Sequence, residues 1–132
     1  MTEYTITECL LFPDMFDRLV VAKFGQRLSS SDDGAILLQA AERRLGVISA
    51  LATGLRDDRQ AGKVQHELRE LITQRVMALA LGYEDANDAA RLASDPIHKL
   101  LVGRDPVDGE DVASQPTCRA LKILRIVRNY CA

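Results

Sequence analysis

The stretch Lys63-Val64-Gln65-His66-Glu67-Leu68-Arg69-Glu70-Leu71-Ile72-Thr73-Gln74-Arg75-Val76-Met77-Ala78-Leu79-Ala80-Leu81 decides the fold. Val64, Leu68, Leu71, Ile72, Val76 and Leu79 recur at three- and four-residue spacing, and Gln65, Glu67, Arg69, Glu70 and Gln74 take the opposite face. That period predicts an amphipathic helix laid on a core. Gly82 follows where a left-handed C-cap is expected. Further on, Asp85 is placed to cap a helix over residues 86–93, with Asp88 in its first turn. Asp95 and Pro96 then restart the chain as N-cap and first helical residue, and Gly103 closes a short helix holding Ile97, Leu100 and Leu101.

Upstream, Ser31-Asp32-Asp33 forms an N-cap cluster for a helix over 35–45, whose Ile36, Leu37, Ala40, Ala41 and Leu45 make one apolar stripe. Gly46 stops that helix, and residues 47–55 carry Val47, Ile48, Leu51 and Leu55 on one side of another. Leu19-Val20-Val21-Ala22-Lys23-Phe24 is β-branched enough for a strand; a turn at Gly25 and a partner over 26–29 would complete a hairpin. Downstream, residues 104–111 form an acidic loop, and Ser114 and Pro116 announce one more helix. The chain reads as mainly α: a small helical domain of five to six helices with a short N-terminal β-hairpin. Its divisions are an N-terminal segment 1–30, a helical domain 31–117 and a tail 118–132.

At 132 residues the chain makes one domain, large enough to bury a core without covalent staples. An apolar fraction of 47% with 5% aromatic residues and no Trp suits helices better than a sandwich. The formal net charge of −2 does not advertise nucleic-acid binding, so any DNA contact must come from a local patch. Cys9, Cys118 and Cys131 are odd in number and lack metal-ligand spacing, which suits a reducing compartment. No basic segment precedes a long apolar one at the start, and the longest apolar run, 76–81, falls far short of the ~20 residues that cross a bilayer. The expectation is a cytoplasmic protein without membrane contact.

Four stretches carry a family resemblance. Leu28-Ser29-Ser30-Ser31-Asp32-Asp33-Gly34-Ala35-Ile36-Leu37-Leu38 is similar to an L-[ST]-S-D-G-G-x-x-L-L opening, and Glu42-Arg43-Arg44-Leu45-Gly46 to D-R-R-L-G. Glu70-Leu71-Ile72-Thr73-Gln74-Arg75-Val76, running on to Gly82-Tyr83-Glu84-Asp85-Ala86-Asn87-Asp88, resembles L-L-x-Q-R-V…G-Y-E-D-x-N-D. Asp95-Pro96, Lys99-Leu100-Leu101-Val102-Gly103-Arg104 and Ala113-Ser114-Gln115-Pro116-Thr117 follow in register. Together they resemble the N-terminal region of bacterial insertion-sequence transposases of the DDE group 1 family. Asp33 departs from the pattern, which has Gly there.

The resemblance implies an intact enzyme that cuts and joins DNA, with three carboxylates holding two Mg²⁺ ions in a core beyond this region. No position here matches those acids, so neither a catalytic residue nor a metal ligand is assigned, and no cofactor is expected in this chain. His66 and His98 read as ordinary helix residues. Asp57, Asp58, Asp105, Asp108, Glu110 and Asp111 read as solvated loop charge or caps. The motif residues Gly82, Tyr83, Glu84, Asp85, Asn87 and Asp88 read either as a helix–helix connection or as a contact with the catalytic core or DNA. DNA-binding candidates are Arg75, Arg91, Lys99, Arg104, Ser114, Gln115 and Thr117. The last three would open a helix-turn-helix type of recognition helix, or an ordinary Ser-capped one.

After Thr117 the family continues L-S-R-F-E-N, whereas this chain has Cys118-Arg119-Ala120-Leu121-Lys122-Ile123. The tail 118–132 holds Arg119, Lys122, Arg125 and Arg128 and no acid, against thirteen basic and nineteen acidic residues before it. Written as codons the tail begins TGY-CGN-GCN-YTN-AAR-ATH; one inserted C shifts this to CTG-YCG-NGC-NYT-NAA-RAT, which permits Leu, Ser, Arg, Phe, Glu and Asn in order. The expectation is a frameshift after Thr117 and a truncated transposase that keeps its N-terminal helical region. Its expected partners are the transposon ends and full-length transposase, with which it would co-assemble. The alternatives are a trans-inhibitor of transposition and a stand-alone helical DNA-binding regulator.

Overall fold

A computed structural model describes residues 9–10, 14–16, 20–22, 28–85 and 87–120. The expected partnerships of Leu19, Lys23, Phe24, Gln26 and Arg27, and any helix over 121–132, lie outside these residues. Among the described residues six α-helices follow in order: α1 Ala35–Leu45, α2 Val47–Gly54, α3 Leu68–Ala80, α4 Asp88–Leu92, α5 Pro96–Leu101 and α6 Gln115–Ala120. A single 3₁₀ turn, Ala61–Lys63, sits between α2 and α3. The mainly helical class expected from the periodicity is the observed one.

The expected hairpin is not supported. Val21–Ala22 (β2) pairs antiparallel with Cys9–Leu10 (β1), Cys9 opposite Ala22. Leu28 and Ser29 carry no strand. A two-residue ladder contributes little stability of its own.

α2 packs on α3, α1 and α3 both pack on α5, and α4 packs on α6. The core where these faces meet holds Ala35, Ile48, Ile72, Met77 and Leu101, with Leu38, Leu55, Leu68, Val76 and Ile97 packed around it. Each fully buried aliphatic side chain contributes roughly 1.5–3 kcal/mol of transfer free energy. Leu71 and Ile72 of the stripe read from the sequence are both 1% exposed, but Leu79 of that stripe is 45% exposed and Gln74, read on the opposite face, is 3% exposed.

The starts of α3 and α1 differ from expectation. α3 begins at Leu68, after the 3₁₀ turn, because Glu67 takes an extended conformation and His66 is drawn to Glu70. At α1 the acids do not cap: the N-cap position is Gly34 and Asp32 turns inward. By contrast, Asp95 caps α5 as read, accepting from the Ile97 and His98 amides at 2.8 and 3.3 Å with Pro96 beside it. Gly46 adopts φ 66°, the left-handed conformation that lets α1 end and α2 begin within one residue.

Candidate functional site

The motif residues are set by the end of α3. The amide of Tyr83 donates to the Ala78 carbonyl at 2.9 Å, a Schellman-type closure across Gly82, whose φ is 93°. This turn directs Tyr83 back over the fold, where its hydroxyl donates to Asp32 Oδ1 at 2.9 Å. His98 Nε2 donates to the other carboxylate oxygen, Oδ2, at 2.9 Å. His98 is 1% exposed and Asp32 7%. The Ser30 hydroxyl accepts from the Asp32 amide, the Tyr83 and His98 rings meet edge to face with centroids 6.3 Å apart, and Arg91 lies 5.2 Å from the Tyr83 centroid.

The Tyr83 phenol is held above its ordinary range, chiefly by the hydrogen bond to Asp32; burial and the Asp32 charge add to this, while Ser31 and Arg91 oppose it. This three-residue network corrects the reading of His98 as an ordinary helix residue. The missed signal was its place beside Ile97 and Leu101 on the apolar face of a short helix. There a buried imidazole needs a polar partner.

The rest of the motif holds the chain that leads into α6. Arg75 donates to the carbonyls of Tyr83 and Glu84 at 3.4 and 2.6 Å. Asp85 does not cap α4 as expected. It accepts from the Asn87 amide at 2.9 Å and from the Asn87 side chain at 2.7 Å, an Asx turn that sets up Asp88 as the first residue of α4. Asp88 pairs with Arg91 at 3.5 Å. Asn87 Oδ1 accepts from Gln115 Nε2 in the first turn of α6, and Gln74 Nε2 donates to the Ala113 carbonyl at 2.8 Å. The Val112 amide donates to Ala93 at 2.9 Å. Gln74, Arg75, Ala78, Asp88, Leu92 and Cys118 line the crevice between α3, α4 and α6. Burial raises the Cys118 thiol above its usual range against an opposing Arg75 charge.

The structure thus brings Arg75, Gly82, Tyr83, Glu84, Asp85, Asn87, Asp88, Arg91 and Gln115 into one neighbourhood. Arg91 and Ser114 are exposed, and Thr117 is half-buried. Lys99 and Arg104 are elsewhere. Lys99 is 6% exposed, its ammonium 3.0 Å from Asp111 Oδ1 and 3.0 Å from the Gly109 carbonyl. Arg104 Nη2 lies 2.6 Å from Glu70 Oε1 and 3.0 Å from His66 Nδ1, and Nη1 donates to the carbonyls of Glu110 and Asp111. Both cations spend their donors inside the fold. His66, expected within a helix, instead precedes α3 and joins the Arg104–Glu70 cluster.

Among the described residues no three His, Cys, Asp or Glu side chains converge on a metal-sized site. No helix among the described residues is long and apolar enough to cross a membrane.

Comparison with curated proteins and with solved structures finds no match. A family model described as transposase DDE domain group 1 matches residues 12–129. The matched span takes in the Asp32–Tyr83–His98 network, the motif loop and all six helices, and it continues past Thr117. The function is accordingly a transposition-related one, and the chain belongs to the DDE group 1 transposase family.

Proposed function

We propose that the helical unit is the transposon-end DNA-binding or assembly region of a transposase, and that the catalytic carboxylate core is lacking from this chain. The observation that carries this reading is the grip of the motif on α6. Asn87 bonds Gln115, and Arg75 holds the motif backbone at Tyr83 and Glu84, ahead of Asn87. The most distinctive polar string of the chain thereby presents a short helix whose opening residues Ser114 and Pro116 are exposed. Ser, Gln and Thr at a helix start are residue types that reach phosphates and base edges, and exposed Arg91 nearby adds positive charge. Lys99 and Arg104 take no part in this surface, being satisfied internally.

The codon reading supports a frame change after Thr117, which places Cys118 and the residues beyond it out of frame. In this reading a co-assembled copy would occupy transposon ends without cutting them, and Mg²⁺ would serve an intact relative. Electrophoretic retention of the element's terminal inverted repeats, lost at raised salt and absent with scrambled DNA, is the expected result. Equal retention of scrambled DNA would sink the end-binding reading. Sequencing the locus tests the frame: the +1 frame downstream of codon 117 is expected to continue as a transposase.

A further inference from the structure

α6 packs on α4 and is tied to α3 by one side chain whose chemistry nothing else in the fold accounts for. Gln74 is a polar residue on the buried face of α3, 3% exposed, beside Leu71 and Ala78. Burying an amide there is costly unless it is bonded. Among the described residues its Nε2 has one partner, the Ala113 carbonyl, two residues before α6, and its Oε1 has none. A Leu or Met at this position would serve the core at least as well, so packing does not explain the amide. At the other edge of the same helix, Asn87 takes the Gln115 amide. The two contacts flank Ser114, one on either side along the chain, and pin the entry to α6 to α3 and to the motif loop.

We propose that Gln74 and Asn87 are positioning residues that latch the first turn of α6 and so set the direction in which it is presented. This rests on the DNA reading for its purpose, but the latch itself is a separate physical claim. All four residues of the latch precede Thr117, so it is independent of the reading frame after that point.

Cys118 supplies a reporter within α6. It is half-buried in the crevice that Gln74 also lines, with its thiol 3.7 Å from the Ala113 carbonyl. Released from the latch, α6 exposes this thiol. The experiment is labelling of the full chain with N-ethylmaleimide, read by peptide mass spectrometry so that Cys118 is resolved from Cys9 and Cys131. The variants are Gln74→Met, which keeps the volume and removes the donor, and Asn87→Ala, whose site is exposed. Loss of one such bond is expected to speed Cys118 labelling about fivefold with far-UV helicity and Tm of the body retained. Labelling at the wild-type rate in a folded Gln74→Met, or in Asn87→Ala should Gln74→Met not fold, overturns the latch.

The same variants are then tested on DNA. A positioning role predicts a fall in the ratio of inverted-repeat to scrambled-DNA affinity at a temperature where both proteins are folded. A merely structural role would leave that ratio unchanged. If the wild-type chain retains no DNA, the end-binding reading fails, and the labelling result still decides the latch.

Discussion

At the scale of the residue, the Asp32 carboxylate organises a buried polar site. It accepts from Tyr83 on one oxygen and from His98 on the other. Truncating the acceptor strands two donors, and each stranded buried group costs about 1–3 kcal/mol, whereas deleting one donor costs about 1 kcal/mol. Asp32→Ala is therefore expected to destabilise the fold by about 3 kcal/mol and Tyr83→Phe by about 1 kcal/mol in urea denaturation. The raised Tyr83 phenol gives the pair a pH signature. The neutral hydroxyl contributes stability that is fully present below the ordinary tyrosine value of ~10 and is lost as pH rises through the higher folded value. Wild-type stability should fall in that alkaline window, and Tyr83→Phe should flatten the fall. An identical alkaline profile in the two proteins would show that the hydroxyl is not coupled to the fold.

At the scale of the element, α2 is capped by a residue of α1. The Glu42 carboxylate accepts from the Val47 and Ile48 amides at 3.0 and 2.8 Å, satisfying two N–H groups that α2 otherwise leaves open. The reach is possible because left-handed Gly46 folds α2 back against the end of α1. Glu42→Ala is expected to cost about 1 kcal/mol, with Glu42→Gln retaining part of it as a neutral acceptor. Amide hydrogen exchange in Glu42→Ala should speed up first at Val47 and Ile48; uniform acceleration across α1, α2 and α3 would argue against a local cap. This cap explains why Glu42 stands three residues ahead of Leu45-Gly46, a spacing visible in the sequence whose purpose was not.

At the scale of the whole molecule, the acidic connection after α5 is tied back by two cations. Lys99 holds Asp111 and the Gly109 carbonyl, and Arg104 spans Glu70, Glu110 and Asp111. The turn is tight: a Cβ at Gly109 would stand 2.8 Å from the Asp105 nitrogen and closer still to its carbonyl oxygen. Lys99 is buried while Asp111 is largely solvated, so the two halves of the pair are not equivalent. Lys99→Met removes the buried charge, leaves Asp111 in water, and should stay within about 1 kcal/mol of wild type. Asp111→Ala leaves the buried ammonium with only a carbonyl and should cost about 1–2 kcal/mol after allowance for the exposure of the carboxylate. The reverse order in thermal melts would mean that Lys99 reaches solvent. Neither substitution should change the ratio of specific to non-specific DNA affinity, since the Lys99 ammonium is buried and Asp111 carries no positive charge to offer a phosphate.

The sequence by itself determined the helical class, the order of the helices, the burial of Leu71 and Ile72 on α3, the Asp95–Pro96 start of α5 and the family. All of these depend on period, cap chemistry or a string of neighbours, which are local properties of the chain. Only the tertiary structure decided what the polar residues do. Asp32 resembled a helix cap and proved to be a buried acceptor, because His98 and Tyr83, 66 and 51 residues away, compete for it more strongly than the α1 amides do. Lys99 and Arg104 resembled DNA contacts and are consumed by Asp111 and Glu70. Gln74 resembled a solvent-facing residue and lies in the core, pulled there by the Ala113 carbonyl 39 residues on. A hydrogen-bonding group takes the partner that is nearest in space, and spacing along the chain does not say which partner that is.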